Sequence, residues 1–174
     1  WLMASKGYQA PEKVSASELR IGIVCSQWNE AITSKLLEGA RTTLENAGGT
    51  ILPEHIIQVP GSFELPMGAR ILLGRDKFDA IVCLGCLIKG DTEHDTYIAQ
   101  AVAQGLTMLS LQSNTPCLFG VITALTMDQA IARAGGEHGN KGSEAVSSAI
   151  QMALLKKTQP KSKPTIGFKS PLGD

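Results

Sequence analysis

One run constrains this chain more than any other: after Asp79, every residue through Cys86 (Ala80, Ile81, Val82, Cys83, Leu84, Gly85) is small or apolar. A strand with one wet face alternates polar and apolar side chains, because successive Cβ atoms point to opposite faces. A run apolar on both faces belongs in the middle of a parallel sheet with helices on each side. The flanking segments agree. Arg20–Ser26 is a short apolar run, followed by a helical pattern with Ile32, Leu36, Leu37, Ala40 and Leu44 on one face. His55–Val59 reads as a second strand, and a helix opening near Glu64 carries Leu65, Ala69, Leu72 and Leu73. After the third strand, Asp79–Cys86, come a helix from about Thr92 to Leu111 and a fourth strand at Pro116–Thr123. Thr126 and Gln129 match a capping box that starts another helix, Gly135 and Gly136 stop it, and a last helix runs from about Asn140 to Lys156. This alternation predicts an α/β fold with right-handed crossovers.

At 174 residues the chain makes one domain, expected over 19–157, between a mobile N-terminal arm at 1–18 and a polar, proline-broken tail at 158–174. Such a domain buries roughly 70% of its unfolded surface and needs neither disulfides nor metal to hold a core. Lys plus Arg number 16 and Asp plus Glu number 16, so no long-range field draws in nucleic acid or an anionic membrane. Small molecules and other copies of the chain are the expected partners. Cys83 and Cys86 look like a redox or zinc pair, yet residues three apart on a strand face opposite ways, and one pair falls short of a four-ligand zinc site. With Cys25 and Cys117 they read as structural thiols of a reducing compartment. No stretch reads as a signal peptide or membrane span, so a cytoplasmic protein is expected; a targeting segment removed from upstream of Trp1 stays open.

From Thr96 to Met127 no residue carries a charge or an imidazole, and that stretch holds the whole helix at 97–111. A helix on the outside of a monomer shows charges to water. This one offers only Gln100, Gln104, Thr107 and Ser110, so the expectation is that one face meets the sheet and the other a second subunit. A tolerated Gln/Ser/Thr surface is the plainer alternative.

In open parallel sheets, ligands bind beyond the carboxyl ends of the strands. There stand Trp28 and Phe63, rings able to face a planar ligand or equally to fill a core, with Asn29 as a helix cap. Gly90, Asp91 and Thr92 open a helix whose free N–H groups and dipole suit a phosphate, although Asp91 opposes an anion and Thr92 can be a plain cap. His94 follows in the first turn, where the dipole disfavours its charged form and leaves an imidazole able to exchange protons; a structural histidine is the competing reading. Arg133 and Lys141 bracket a glycine-rich turn, either as two solvated cations or as phosphate ligands supplied to a neighbour. Neither a dinucleotide fingerprint nor a Walker loop is present.

Trp28-Asn29, Pro60 to Glu64, Gly90 to His94, Phe119-Gly120-Val121, Arg133-Ala134-Gly135 and Gly139 to Gly142 occur in the order and spacing of one family. The chain resembles the lumazine synthases of riboflavin biosynthesis from about Arg20 to Lys156. The resemblance implies a three-layer αβα fold on a four-stranded parallel, flavodoxin-like sheet, extended by an N-terminal arm. It implies condensation of 5-amino-6-(D-ribitylamino)uracil with 3,4-dihydroxy-2-butanone 4-phosphate to 6,7-dimethyl-8-ribityllumazine, with no cofactor and no metal. Carried over by motif, Trp28 stacks on the pyrimidine, Ser62, Phe63 and Glu64 hold the ribityl chain and ring edge, and Cys86, Leu87 and Ile88 line the pocket through their backbone. Asp91 and Thr92 bind phosphate and His94 transfers protons. Phe119 and Arg133 arrive from an adjacent subunit, with Lys141 supporting Arg133. The implied assembly is a homopentamer, with a sixty-subunit shell and a riboflavin synthase partner left open. A flavin-binding or cage-forming protein on the same scaffold is the alternative. Family members follow the histidine with an aromatic and then an acid, whereas here Asp95 and Thr96 follow, so carboxylate help to the imidazole comes from a different position.

Overall fold

The structure, a computed structural model, describes residues 14–158; the expected mobility of 1–13 and 159–174 lies outside the described residues. Strands β1 (Ile21–Ser26), β2 (Ile56–Val59), β3 (Ala80–Ile88) and β4 (Cys117–Ala124) form one all-parallel sheet in the order β2-β1-β3-β4. Every residue from Ala80 to Cys86 is buried, as the doubly apolar run requires. Ala80, Val82, Leu84 and Cys86 enter one core with α1 (Glu30–Asn46), α4 (Met127–Ala132) and α5 (Lys141–Thr158). Ile81 and Cys83 enter the opposite core with α2 (Leu65–Arg75) and α3 (His94–Ser113). Cys83 and Cys86 thus sit on opposite faces, and all four cysteines are free thiols.

The helical stripe read from the sequence is the stripe that packs. Ile32, Leu36, Ala40 and Leu44 of α1 are buried, and truncating one of the three large side chains to alanine costs about 2–5 kcal/mol. Close approach of α1 and α5 depends on Gly142, where a Cβ would overlap the Leu36 carbonyl. Asn140 locks the same junction. Its Oδ1 accepts from the N–H groups of Gly142 (2.8 Å) and Ser143 (3.1 Å), and its Nδ2 donates to the Lys35 carbonyl (2.9 Å). The Gly139–Gly142 motif is therefore a helix cap and a packing joint.

Five local readings change. The second strand starts at Ile56, because Pro53–His55 forms a 3₁₀ turn that buries the His55 ring edge-on against Phe78, 5.1 Å between centroids. The third helix begins at His94 rather than Thr92, with Glu93 at its cap, and runs on to Ser113, where Asn114 turns left-handed. Thr126 caps α4 by accepting from the Gln129 N–H, but the reciprocal bond shifts: Gln129 Oε1 accepts from Leu125 N–H at 2.8 Å. The glycines after α4 form a hairpin of β5 (Ala134–Gly136) and β6 (Gly139–Asn140) rather than an open turn. Finally, the described part of the expected arm is docked, since Ala16 is fully buried and its N–H donates to the Ala47 carbonyl at 2.7 Å.

Helix α3, without charge from Thr96 onward, buries Val102, Leu106 and Leu109 and leaves Tyr97, Met108 and Leu111 open, the last 79% exposed in the single chain. Among the described residues, no helix is long and apolar enough to cross a membrane.

Candidate active site

The chain leaves β1 for β2 on one side, and β3 for β4 on the other. The loops after β1 and β3 therefore part, and the crevice between them is where ligands enter such sheets. A cavity of about 700 Å³ opens there. Its walls come from Trp28 and Asn29 after β1, Gly61 to Glu64 after β2, Cys86 to Ile88 at the end of β3, and Gly90, Thr92, His94, Asp95 and Ile98 around the start of α3.

Local chemistry holds these loops in place. Asn29 stands at the N-terminal cap of α1 but does not cap it. It adopts φ 61°, a left-handed conformation asparagine tolerates, and its Nδ2 donates to the Cys86 carbonyl at 3.0 Å. That bond ties the β1 loop to the end of β3. Glu64 Oε2 accepts from the Gly61 N–H at 2.9 Å and closes the 60–64 turn. Ser62 lies against β3 so tightly that a Cβ on Gly85 would stand 2.5 Å from its Oγ; only glycine at 85 admits it. Ser62 Oγ is buried without a hydrogen-bond partner. At the mouth, Trp28 is 72% exposed and Phe63 60%, so neither ring fills a core. Large rings left open beside a cavity are the surface a flat ligand would cover.

His94 is the first residue of α3, and its ring has no hydrogen bond or ion pair among the described residues. Beside it Lys89 Nζ binds Glu93 Oε1 at 2.6 Å and stands 3.9 Å from Asp95 Oδ1. The Glu93 bond raises the Lys89 pKa, and Lys89 in turn lowers that of Glu93. Burial pushes the Cys86 thiol up to about 11, so it stays protonated near neutrality.

Four expected residues lie outside this hollow. Asp91 sits in the bend before α3, next to the cavity but not in its wall. Phe119 is part-buried in β4 against the α2/α3 core. Arg133 ends α4 and lines a separate cleft with Asp128, Glu137 and His138; its guanidinium has no ion pair among the described residues. Lys141 donates its N–H to the Arg133 carbonyl at 2.9 Å, while its ammonium pairs with Glu144 at 3.0 Å. One chain brings together nine of the predicted residues and leaves these four apart.

Residues 18–157 match the family model described as 6,7-dimethyl-8-ribityllumazine synthase. A protein of that name from Parabacteroides distasonis is 50% identical over 139 residues, covering 79% of this chain and 86% of the relative. Another from Aquifex aeolicus is 47% identical over 146 residues, covering 84% of this chain and 95% of the relative. The chain belongs to this family.

In the walls of this cavity, sequence reasoning overlooked Ile98 and the bridging role of Asn29. Ile98 follows His94 by four residues, and that helical spacing would have placed it on the same face. Nothing local flags the Asn29 bond, since its acceptor lies 57 residues away.

Proposed function

We propose that this cavity binds 5-amino-6-(D-ribitylamino)uracil and 3,4-dihydroxy-2-butanone 4-phosphate and joins them into 6,7-dimethyl-8-ribityllumazine. The amine condenses with the ketone, phosphate and water leave, and the pteridine ring closes, a step of riboflavin biosynthesis. The observation that carries this reading is the meeting of two open aromatic rings with an unpaired imidazole in one hollow, within a chain of this family. Trp28 and Phe63 take the flat ring. Ser62 and Glu64, with the backbone of Cys86, Leu87 and Ile88, take the ribityl chain and ring edge. N–H groups around Asp91 and Thr92 take the phosphate, and His94 carries protons between the condensing amine and the leaving groups.

Phe119, Arg133 and Lys141 serve a neighbour's cavity in this reading, and the homopentamer is the proposed assembly. Support comes from α3: beyond Asp95 it carries no charge, and its exposed Tyr97, Met108 and Leu111 need a cover, for which a second copy is an economical one. A larger shell built from such pentamers is compatible with it. The proposed compartment is the cytoplasm, where four free thiols stay reduced. Mixing both substrates with the full chain and following lumazine absorbance tests the function, and light scattering on the same sample tests the assembly. Formation of lumazine by an oligomer is expected; a protein that makes none would overturn the reading.

A further inference from the structure

Two residues of the cavity wall, Ser62 and Asp95, each carry a buried side-chain oxygen without a hydrogen-bond partner. One is Ser62 Oγ, on a residue only 4% exposed. The other is Oδ1 of Asp95, the second residue of α3. Its nearest cation, Lys89 Nζ, is 3.9 Å away, beyond hydrogen-bond reach, and is already held by Glu93 at 2.6 Å. A buried acceptor without a donor is destabilising, and such atoms in a cavity wall point to a group that arrives from outside. A carboxylate near neutral pH only accepts, so that group must carry a hydrogen-bond donor. A phosphate dianion offers none and is repelled by the same charge.

We propose that Asp95 is a specificity-determining residue for the donor-rich substrate, accepting a hydrogen bond from an amine or hydroxyl of the ribitylaminopyrimidine. This rests on the function proposed above. It also gives the carboxylate directly after His94 a task of its own: it selects the polyhydroxylated amine and rejects the anionic end of the second reactant. Ser62 Oγ, which both donates and accepts, contributes to the same recognition from the turn at 60–64.

The test uses the full chain, wild type beside Asp95→Ala, the near-isosteric Asp95→Asn, and Lys89→Met, with each substrate varied in turn. Asp95→Ala should raise KM for the aminopyrimidine on the order of tenfold, the loss of one charged hydrogen bond. KM for the phosphorylated ketone should stay level or fall, and kcat should change little. Asp95→Asn, which keeps an acceptor oxygen, should fall between. Equal rises in both KM values, or a drop in Tm alone, would overturn the proposal. So would Lys89→Met reproducing the Asp95→Ala pattern, because Asp95 would then be a counterion to that lysine. An inactive wild type sinks the proposed function instead. Calorimetry with the aminopyrimidine alone still reads Asp95 in that case, and equal affinities of wild type and Asp95→Ala would refute it.

Discussion

The carboxyl rim of the sheet has two unlike halves. Around β1 and β3 the loops enclose a hollow with open rings and an imidazole, but its lysine is bound to Glu93. Beyond β4 the rim carries Arg133, a guanidinium without an ion pair among the described residues, over a shallower cleft of about 350 Å³ shared with Asp128 and Glu137. One half has room for a heterocycle but no uncommitted cation for phosphate. The other has the cation and no hollow for the rings. A chain that must bind an anion beside a flat ring meets both needs when the rim of one copy abuts the cavity of the next, and the uncharged face of α3 is a surface able to bring them together.

Removing His94 is the strongest test of the cavity half. Replacement by alanine should lower kcat by about 10²–10⁴-fold, the usual share of general acid–base help. Activity should not vanish, because holding two reactants together contributes on the order of 7–11 kcal/mol by itself. Steady-state kinetics at saturating substrates check this, and complete loss of turnover would break the proximity-dominated account.

The other half should fail differently. Arg133→Ala should raise KM for the phosphorylated ketone about tenfold to a hundredfold, as loss of a charged contact of about 1.5–3 kcal/mol does, and should largely spare kcat. If the halves meet between copies, unfolding His94→Ala and Arg133→Ala proteins together and refolding the mixture should recover activity that neither has alone at low ketone phosphate. Without recovery, Arg133 and His94 do not share a site across copies, and the two halves are unrelated.

How far these halves were legible in the sequence differs for a physical reason. The alternation of strands and helices follows from hydrophobic period, and the doubly apolar run at 80–86 located a central strand directly, whereas the order of the strands came only from the structure. The cavity walls followed too, since strand ends in a parallel sheet converge on one rim, and Trp28, Ser62, Phe63 and His94 all line it. What failed was local hydrogen bonding. The helix start was placed at Thr92, whereas Glu93 occupies the cap, and a shift of two residues decides which N–H groups are free. The last helix was placed from about Asn140, but nothing local shows that Asn140 also donates to the Lys35 carbonyl, a partner set by tertiary packing. Ala16 escaped notice because a single alanine shows no period.

The smallest predicted effect separates the halves by pH. Cys86, on the cavity floor, has its thiol raised from 9.0 to about 11 by burial. Between those values the unfolded chain has released the proton while the native chain still holds it, so stability is full below pH 9 and declines as pH rises toward 11. Cys25 shifts to about 11 and Cys83 moves the same way, so the decline is shared. Cys86→Ser should therefore make the fall in unfolding free energy between pH 9 and 11, measured by urea titration, shallower by at most about 1.4 kcal/mol per pH unit for one proton, and leave the values from pH 7 to 9 parallel to wild type. Arg133→Ala should keep the wild-type slope, because no thiol lines that cleft. Equal slopes for Cys86→Ser and wild type would mean that the floor of the cavity is wet, and a wet floor would weaken every hydrogen bond assigned to it.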